Sequence, residues 1–405
     1  MSTEIRTARA DELAESVGPL WHYVGRTPTP QDAERLGRIV THERMHVAVE
    51  AGRVVGGGGA YALELTVPGA TVPTAGIFAI GVLPTHRRRG LLTGLMRAEL
   101  DAAHERGEPL AALYASEGAI YGRYGFGVAS FAGELDLPGE HAALRGDASP
   151  DQRVRLVDET EAASVLPRIY DTVRPHRPGM LARSRDWWEV RVFGPTLWSR
   201  GGELARALVE QDGSPSGYAL YRIEPSIGPS GAVGPSTSTL DVIEAIGATP
   251  HATEALWRYL LGLDLIARIR ARLLPLDHPL LLLLVEPRRA RFALAEALWV
   301  RLVDVGAALS ARRYRSAESL VLEVTDAFCP WNAGRWALAD GVATRTDDPP
   351  DLGLDVASLG SAYLGGLTFT QLRDALLVDE LTPGAVDRAD DLFRTSLAPW
   401  CPEIF

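Results

Sequence analysis

Three arginines, Arg87, Arg88 and Arg89, stand directly before Gly90. After Gly90, apolar residues at 91, 92, 95, 96 and 100 have the spacing of one face of an amphipathic helix. Before the loop, residues 75–82 read as a strand. A strand, an arginine-glycine loop and a helix start together make a site for a diphosphate. The helix mouth offers free N–H groups and a partial positive charge. Gly90 lets the backbone come close to a ligand, and guanidinium groups add charge-assisted, bidentate contacts. Taken alone, three such arginines most often form a solvated face; their place between a strand and a helix raises the case for the anion site.

Other chemistries find less support. His22, His86 and His251 are scattered without metal-ligand spacing, and His86 reads as a structural residue of the loop. The only cysteines are Cys329 and Cys401, too few for a cysteine zinc site or a disulfide framework. No metal is expected. No Ser-His-Asp arrangement can be read by spacing. All 41 basic residues are arginine, so a Gly-Lys-Ser/Thr phosphate loop is ruled out.

The elements around the loop follow from the same kind of reading. Residues 11–40 carry helical spacing, and 46–50 read as a strand. A turn at 51–53 leads into a strand through Gly56-Gly57-Gly58-Gly59, a run that suits a strand only where another backbone comes close. Pro68-Gly69 marks a hairpin. Residues 91–106 are the amphipathic helix and 109–114 a buried strand. Residues 116–121 read as a turn into a helix start, broken by Gly122, Gly125 and Gly127. A boundary is expected near 138–152. Strands follow at 153–157, 217–223 and 239–245, a Gly/Pro/Ser loop at 225–235, and helices at 251–263 and 288–299. The run 280–285 is a buried strand or helix start. The last hundred residues hold strands at 319–325 and 335–339, short strand and helix signals at 352–376, and a helix at 386–392. The expected division is 1–150, 151–300 and 301–405, without an internal repeat of 20–50 residues.

A chain of 405 residues with 46% hydrophobic and 23% charged residues suits several globular cores. The net charge of −11 argues against nucleic acid and anionic membrane as partners and favours cationic substrates. The N-terminus lacks an apolar signal core, and no stretch approaches ~20 apolar residues. A cytoplasmic protein is the expectation.

The string Arg87-Arg88-Arg89-Gly90-Leu91-Leu92 resembles the coenzyme A pyrophosphate loop of GNAT acetyltransferases, with Leu92 in place of the usual small residue. Two longer strings are similar to one branch, the Eis (enhanced intracellular survival) acetyltransferases, where Leu is usual at that place. They are Val82-Leu83-Pro84-Thr85-His86-Arg87-Arg88-Arg89-Gly90-Leu91-Leu92 and Ala115-Ser116-Glu117-Gly118-Ala119-Ile120-Tyr121-Gly122-Arg123-Tyr124-Gly125-Phe126-Gly127. Weaker likeness continues through Gly217-Tyr218-Ala219-Leu220-Tyr221-Arg222 and Leu359-Gly360-Ser361-Ala362-Tyr363-Leu364-Gly365. The resemblance implies an α+β fold of mixed sheets: two GNAT-like domains, then a sterol-carrier-like domain whose C-terminus returns to the active site.

It also implies roles. The backbone of Ile80, Gly81 and Val82 would pair with the pantetheine arm of acetyl-coenzyme A. Arg88 to Thr93, which include Leu91 and Leu92, would surround the pyrophosphate, Arg87 would also bind the cofactor, and Ser116 and Glu117 would complete the donor pocket. Tyr121 would be the general acid, since a phenol with a reference pKa of ~10 is protonated at neutral pH. The terminal carboxylate of Phe405, ionised at that pH, would be the base, its ring anchored by burial. Ile404 stands where the family often has an acidic residue; Glu403 lies beside it.

The family's acceptors are aminoglycosides and other cationic amines, and Trp21, His22 and Glu403 are acceptor-side candidates. Two other readings stay open: an acetyltransferase of protein lysines or N-termini, and a non-catalytic lipid- or drug-binding protein. Homo-oligomers, trimers or hexamers, are implied by the resemblance alone.

Overall fold

The structure is a computed structural model and describes residues 3–149, 151–195, 202–225 and 238–405. The loop expected at 225–235 therefore lies, beyond its first residue, outside the described residues. The chain forms two compact units. One is made of Met1–Ser130, Ala297–Pro399 and Ile404–Phe405, the other of Phe131–Glu296 and Trp400–Glu403.

The first unit contains a seven-stranded sheet in the order Glu4–Thr7, Met45–Glu50, Arg53–Val67, Ala70–Val82, Leu110–Tyr114, Leu298–Leu302, Gly127–Val128. Ala70–Val82 and Leu110–Tyr114 are parallel, and the other neighbours are antiparallel. Helix Leu91–Glu105 makes the crossover between the parallel pair and buries Leu91, Leu95, Met96 and Leu100. Each such side chain contributes roughly 1.5–3 kcal/mol of burial. The glycines at 57–59 have close neighbours. A Cβ on Gly57 would strike the Ser16 carbonyl, and one on Gly59 would reach the Arg44 carbonyl at 2.6 Å.

The same unit holds a five-stranded sheet in the order Val342–Arg345, Gly334–Ala339, Leu320–Thr325, Leu352–Asp355, Val378–Glu380. It packs with helices Val305–Ala311, Val356–Tyr363, Phe369–Asp374 and Ala385–Phe393. The second unit has its own seven-stranded sheet, ordered Arg291–Glu296, Phe131–Pro138, Ile266–Leu274, Ser238–Gly247, Ser214–Glu224, Ala205–Gln211, Gln152–Leu156. Its core lies under helix Pro250–Leu261, with Leu256, Trp257 and Leu260 buried.

Two readings of the sequence change. Phe131–Pro138, ahead of the boundary expected at 138–152, is hydrogen-bonded into the second sheet, and Leu298–Leu302 into the first. The expected helix at 288–299 is instead a 3₁₀ turn, Pro287–Arg289, and strand Arg291–Glu296 leading into strand Leu298–Leu302. Leu298–Leu302 is buried at every residue, so it lacks the alternation that marks a half-exposed strand. The run 280–285 becomes the short helix Leu280–Leu283, in which Leu280 is buried and Leu282 exposed.

Candidate active site

The parallel ladder between Ala70–Val82 and Leu110–Tyr114 ends at the pair Gly76 and Ala112. Both strands run on past it, one to Val82 and the other to Tyr114. Leu110–Tyr114 continues its pairing on the other side, where Tyr114 faces Leu298. The sheet thus opens as a fork from Gly76 onward. Ala79 takes a left-handed φ of 54°, and one residue is bulged between Phe78 and Gly81 where they face Gly59 and Gly57. The bulge sits in the stretch that carries Ile80, Gly81 and Val82. An opened strand edge can accept an extended, amide-bearing ligand as an added strand.

At the end of this strand the chain turns through Pro84–His86 into the arginine loop. Arg88 has φ 61° and Gly90 has φ 78°. Gly90 caps helix Leu91–Glu105, and a Cβ there would meet nothing within 4 Å. Gly90 and Thr93 at the helix mouth are exposed, while Leu91 is buried and Leu92 half-buried. Arg87 and Arg88 are exposed and hold no hydrogen bond or ion pair among the described residues. Arg89 is engaged by Glu50, with Nη2 2.5 Å from Oε1. His86 Nε2 lies 2.8 Å from the other oxygen of Glu50. Arg89, helped by His86, lowers the Glu50 carboxyl to about 2. Arg89 and His86 so brace the loop against the first sheet. The two free guanidinium groups and the open helix mouth suit a diphosphate.

Tyr121 ends the short helix Gly118–Tyr121 and is buried in the core with Ile80, Tyr124, Phe126 and Trp299. Its ring meets Phe126 edge-on at 6.3 Å. Burial raises the phenol pKa above its ordinary value, and a hydrogen bond with Ser116 opposes part of that rise. Ser116 and Tyr121 are thus neighbours. Glu117 is the N-cap position of the same short helix.

Phe405 lies at the fork. Its ring would touch a Cβ on Gly76 at 3.4 Å and meets Tyr114 edge-on at 6.0 Å. Ile404 beside it is exposed. Helix Leu13–Tyr23 packs so closely on strand Ala70–Val82 that a Cβ on Gly81 would lie 2.7 Å from the Leu20 backbone nitrogen. Trp21 and His22 follow Leu20, with the Arg26 guanidinium 5.4 Å over the Trp21 ring. His22 is exposed. Glu403 belongs to the second unit, where both its oxygens are engaged: Arg183 Nε donates to Oε1 at 2.7 Å, and Trp187 Nε1 donates to Oε2.

Two residues escaped the sequence reading. Tyr23 Oη donates to the Val82 carbonyl at 2.8 Å, fixing the helix end to strand Ala70–Val82. Trp299 lies 3.2 Å from a Cβ on Gly118, under the turn that carries Tyr121. Tyr23 sits in a helical run with no motif around it. Trp299 becomes visible only once Leu298–Leu302 is recognised as a strand of the first sheet.

Comparisons with known proteins identify the domains and the family. Models of the acetyltransferase (GNAT) domain match residues 4–129 and 179–302, and a sterol carrier protein domain matches 305–402. An uncharacterised N-acetyltransferase of Streptomyces avermitilis is 40% identical over the whole of both chains. N-acetyltransferase Eis of Mycobacterium tuberculosis is 36% identical over 88% of this chain and 85% of its own. The crystal structure of Eis1 from Mycobacterium abscessus superposes with a TM-score of 0.84 at 33% identity, covering all of both chains. GNAT domains imply acetyl-coenzyme A as the donor. With two such domains followed by a sterol carrier domain, the chain belongs to the Eis-like N-acetyltransferases of the GNAT superfamily.

Proposed function

We propose that the chain transfers an acetyl group from acetyl-coenzyme A to an amine of a cationic small molecule, aminoglycosides among them. Tyr121 acts as general acid and the carboxylate of Phe405 as base. The observation that carries this reading is the Phe405 ring at the fork, 3.4 Å from a Cβ on Gly76. A chain end frays unless it is held; this one is seated where the donor strand opens. The net charge of −11 adds to the attraction for polycations.

Acetyl-coenzyme A supplies the acyl group as a thioester. Its arm would lie along Ile80, Gly81 and Val82, with its diphosphate on Arg87, Arg88 and the helix mouth at Leu91, Leu92 and Thr93. Arg89 braces the loop through Glu50. The Phe405 carboxylate takes a proton from the ammonium, directly or through water, and leaves a neutral nitrogen able to attack. The new C–N bond forms as the C–S bond breaks. The acetylated nitrogen then sheds its second proton, which returns through water to Tyr121 once that phenol has protonated the sulfur. The Phe405 carboxyl gives its proton to solvent. Tyr121 gives its proton to the departing sulfur, and its raised pKa keeps that proton available at neutral pH. Trp21 and His22 flank the acceptor side.

A thiol-release assay with acetyl-coenzyme A across aminoglycosides, linear polyamines and peptides tests the proposal. Release with neamine well above the amine-free rate supports it. Release with lysine peptides alone would move the acceptor to proteins.

A further inference from the structure

Asp326 to Asn332 connect strands Leu320–Thr325 and Gly334–Ala339 of the five-stranded sheet. This segment, from the sterol-carrier portion, packs within the first unit against the elements that carry the donor site. Asp326 and Asn332 are buried polar residues. Arg301, fully buried on strand Leu298–Leu302, donates from Nη2 to both Asp326 oxygens, at 3.1 and 2.9 Å. Asp326 also accepts from the Phe328 and Cys329 amides, at 3.1 and 2.8 Å. Asn332 donates to Asp326 at 3.0 Å and to the Leu302 and Val303 carbonyls at 3.2 Å.

The guanidinium held in this way presses on Gly125. A Cβ there would strike Arg301 Nη1 and come within 2.9 Å of its Cζ. Gly125 has φ 84° and closes the turn that begins at Tyr121, and Phe126 N donates back to the Tyr121 carbonyl at 3.3 Å. The segment reaches the donor helix as well. Phe328 meets Tyr124 edge-on at 5.1 Å, and Tyr124 Oη lies 3.2 Å from Thr93 Oγ1 in the first helical turn. The Arg97 guanidinium lies 3.8 Å over the Phe328 ring and bonds its carbonyl. Trp331 stacks on His104 at 4.5 Å. Among the described residues Arg301 Nε and Nη1 are buried with no hydrogen-bond partner, and Asp326 is the carboxylate bonded to this guanidinium.

We propose that residues 326–332 buttress the acetyl-transfer site, with Asp326 and Arg301 as positioning residues that fix the Tyr121–Gly125 turn against the donor helix. This rests on the reading of that turn as the reacting centre. The sterol-carrier portion then belongs to the catalytic apparatus. Removing the Asp326 charge loosens the turn, while the loop that receives the diphosphate keeps its own brace on Glu50.

The test is Asp326→Asn in the full-length enzyme, with Phe328→Leu as a second variant should the first fail to fold. With neamine as acceptor, kcat falls about a hundredfold while KM for neamine and the Kd for acetyl-coenzyme A stay within about twofold. The alkaline limb of the kcat profile moves to lower pH as water reaches Tyr121. Amide exchange read by mass spectrometry speeds up in 118–126. A folded variant with wild-type kcat and wild-type exchange in that segment overturns the proposal. Should the wild type not turn over neamine, exchange in 118–126 decides alone. Should Tyr121→Phe keep full activity, the general-acid reading fails, and the same exchange measurement still decides the buttress.

Discussion

Arg183 Nε lies 2.7 Å from Glu403 Oε1, two residues before the chain ends. Both side chains are buried, and Arg183 also holds Glu244, with Nη2 2.5 Å from Oε2. The guanidinium lies over the Tyr170 and Trp188 rings, at 3.9 and 4.6 Å. Glu403→Gln removes one charge from this network and leaves Arg183 with Glu244. A loss of about 1–3 kcal/mol in unfolding free energy is expected in urea titrations, the cost of an imperfectly paired buried group. The exposed pair Arg185 and Glu189 is a control: Glu189→Gln changes the same measurement by at most about 0.5 kcal/mol.

The arginine loop before Gly90 holds two kinds of arginine. Arg88 is free at the surface, while Arg89 is bound to Glu50. Arg88→Gln raises the calorimetric Kd for acetyl-coenzyme A about tenfold, the loss of one charge-assisted contact. Arg89→Gln acts through the loop's brace and has the smaller effect on Kd. Equal losses in the two variants would show that Arg89 also touches the ligand.

In the proposed mechanism Tyr121 is the residue whose protonation the chemistry needs. Tyr121→Phe lowers kcat by about 10²–10⁴ with the Kd for acetyl-coenzyme A unchanged. The pH dependence has a definite sign. Burial raises the phenol pKa, so the folded enzyme keeps the acid form at a higher pH than a free tyrosine. The alkaline fall in kcat therefore comes above about pH 10, the ordinary value for a phenol. A fall centred well below that value would assign the limb to another group.

The second unit is expected to lose stability in acid at His278. His278 is lowered to about 4, first by burial and then by the nearby Arg177. Its Nε2 faces Trp257 Nε1 at 3.1 Å. The folded state prefers the neutral ring, so the unfolded chain binds the extra proton between pH 6.5 and 4. Stability is complete above pH 6.5 and falls through that window, by roughly 3 kcal/mol in total. Urea titrations at pH 7.5, 6 and 4.5 read this slope, and His278→Gln flattens it.

The strand, loop and helix of the proposed donor site are legible in the sequence because they are local. Arg87 to Gly90, the strand before them and the helix after them are continuous in sequence, and one glycine marks the cap. The four glycines at 56–59 were readable for the same reason. The strand exchange was not, because a strand buried on both faces, such as Leu298–Leu302, shows no period of two. Glu403 illustrates another limit. A carboxylate near the end of a chain looks free in a sequence, and its partner Arg183 lies 220 positions away. The ion pair of Arg301 and Asp326 was hidden likewise, since neither residue stands in a motif.

The claim on which the rest depends is that the carboxylate of Phe405 takes part in acetyl transfer at the fork beside Gly76. Adding one glycine after Phe405 displaces that carboxylate and leaves the ring in place. The measurement is kcat for thiol release with neamine, beside the calorimetric Kd for acetyl-coenzyme A. The account predicts a fall in kcat of about 10²–10⁴ with Kd unchanged. An extended chain that folds and turns over at the wild-type rate would contradict it.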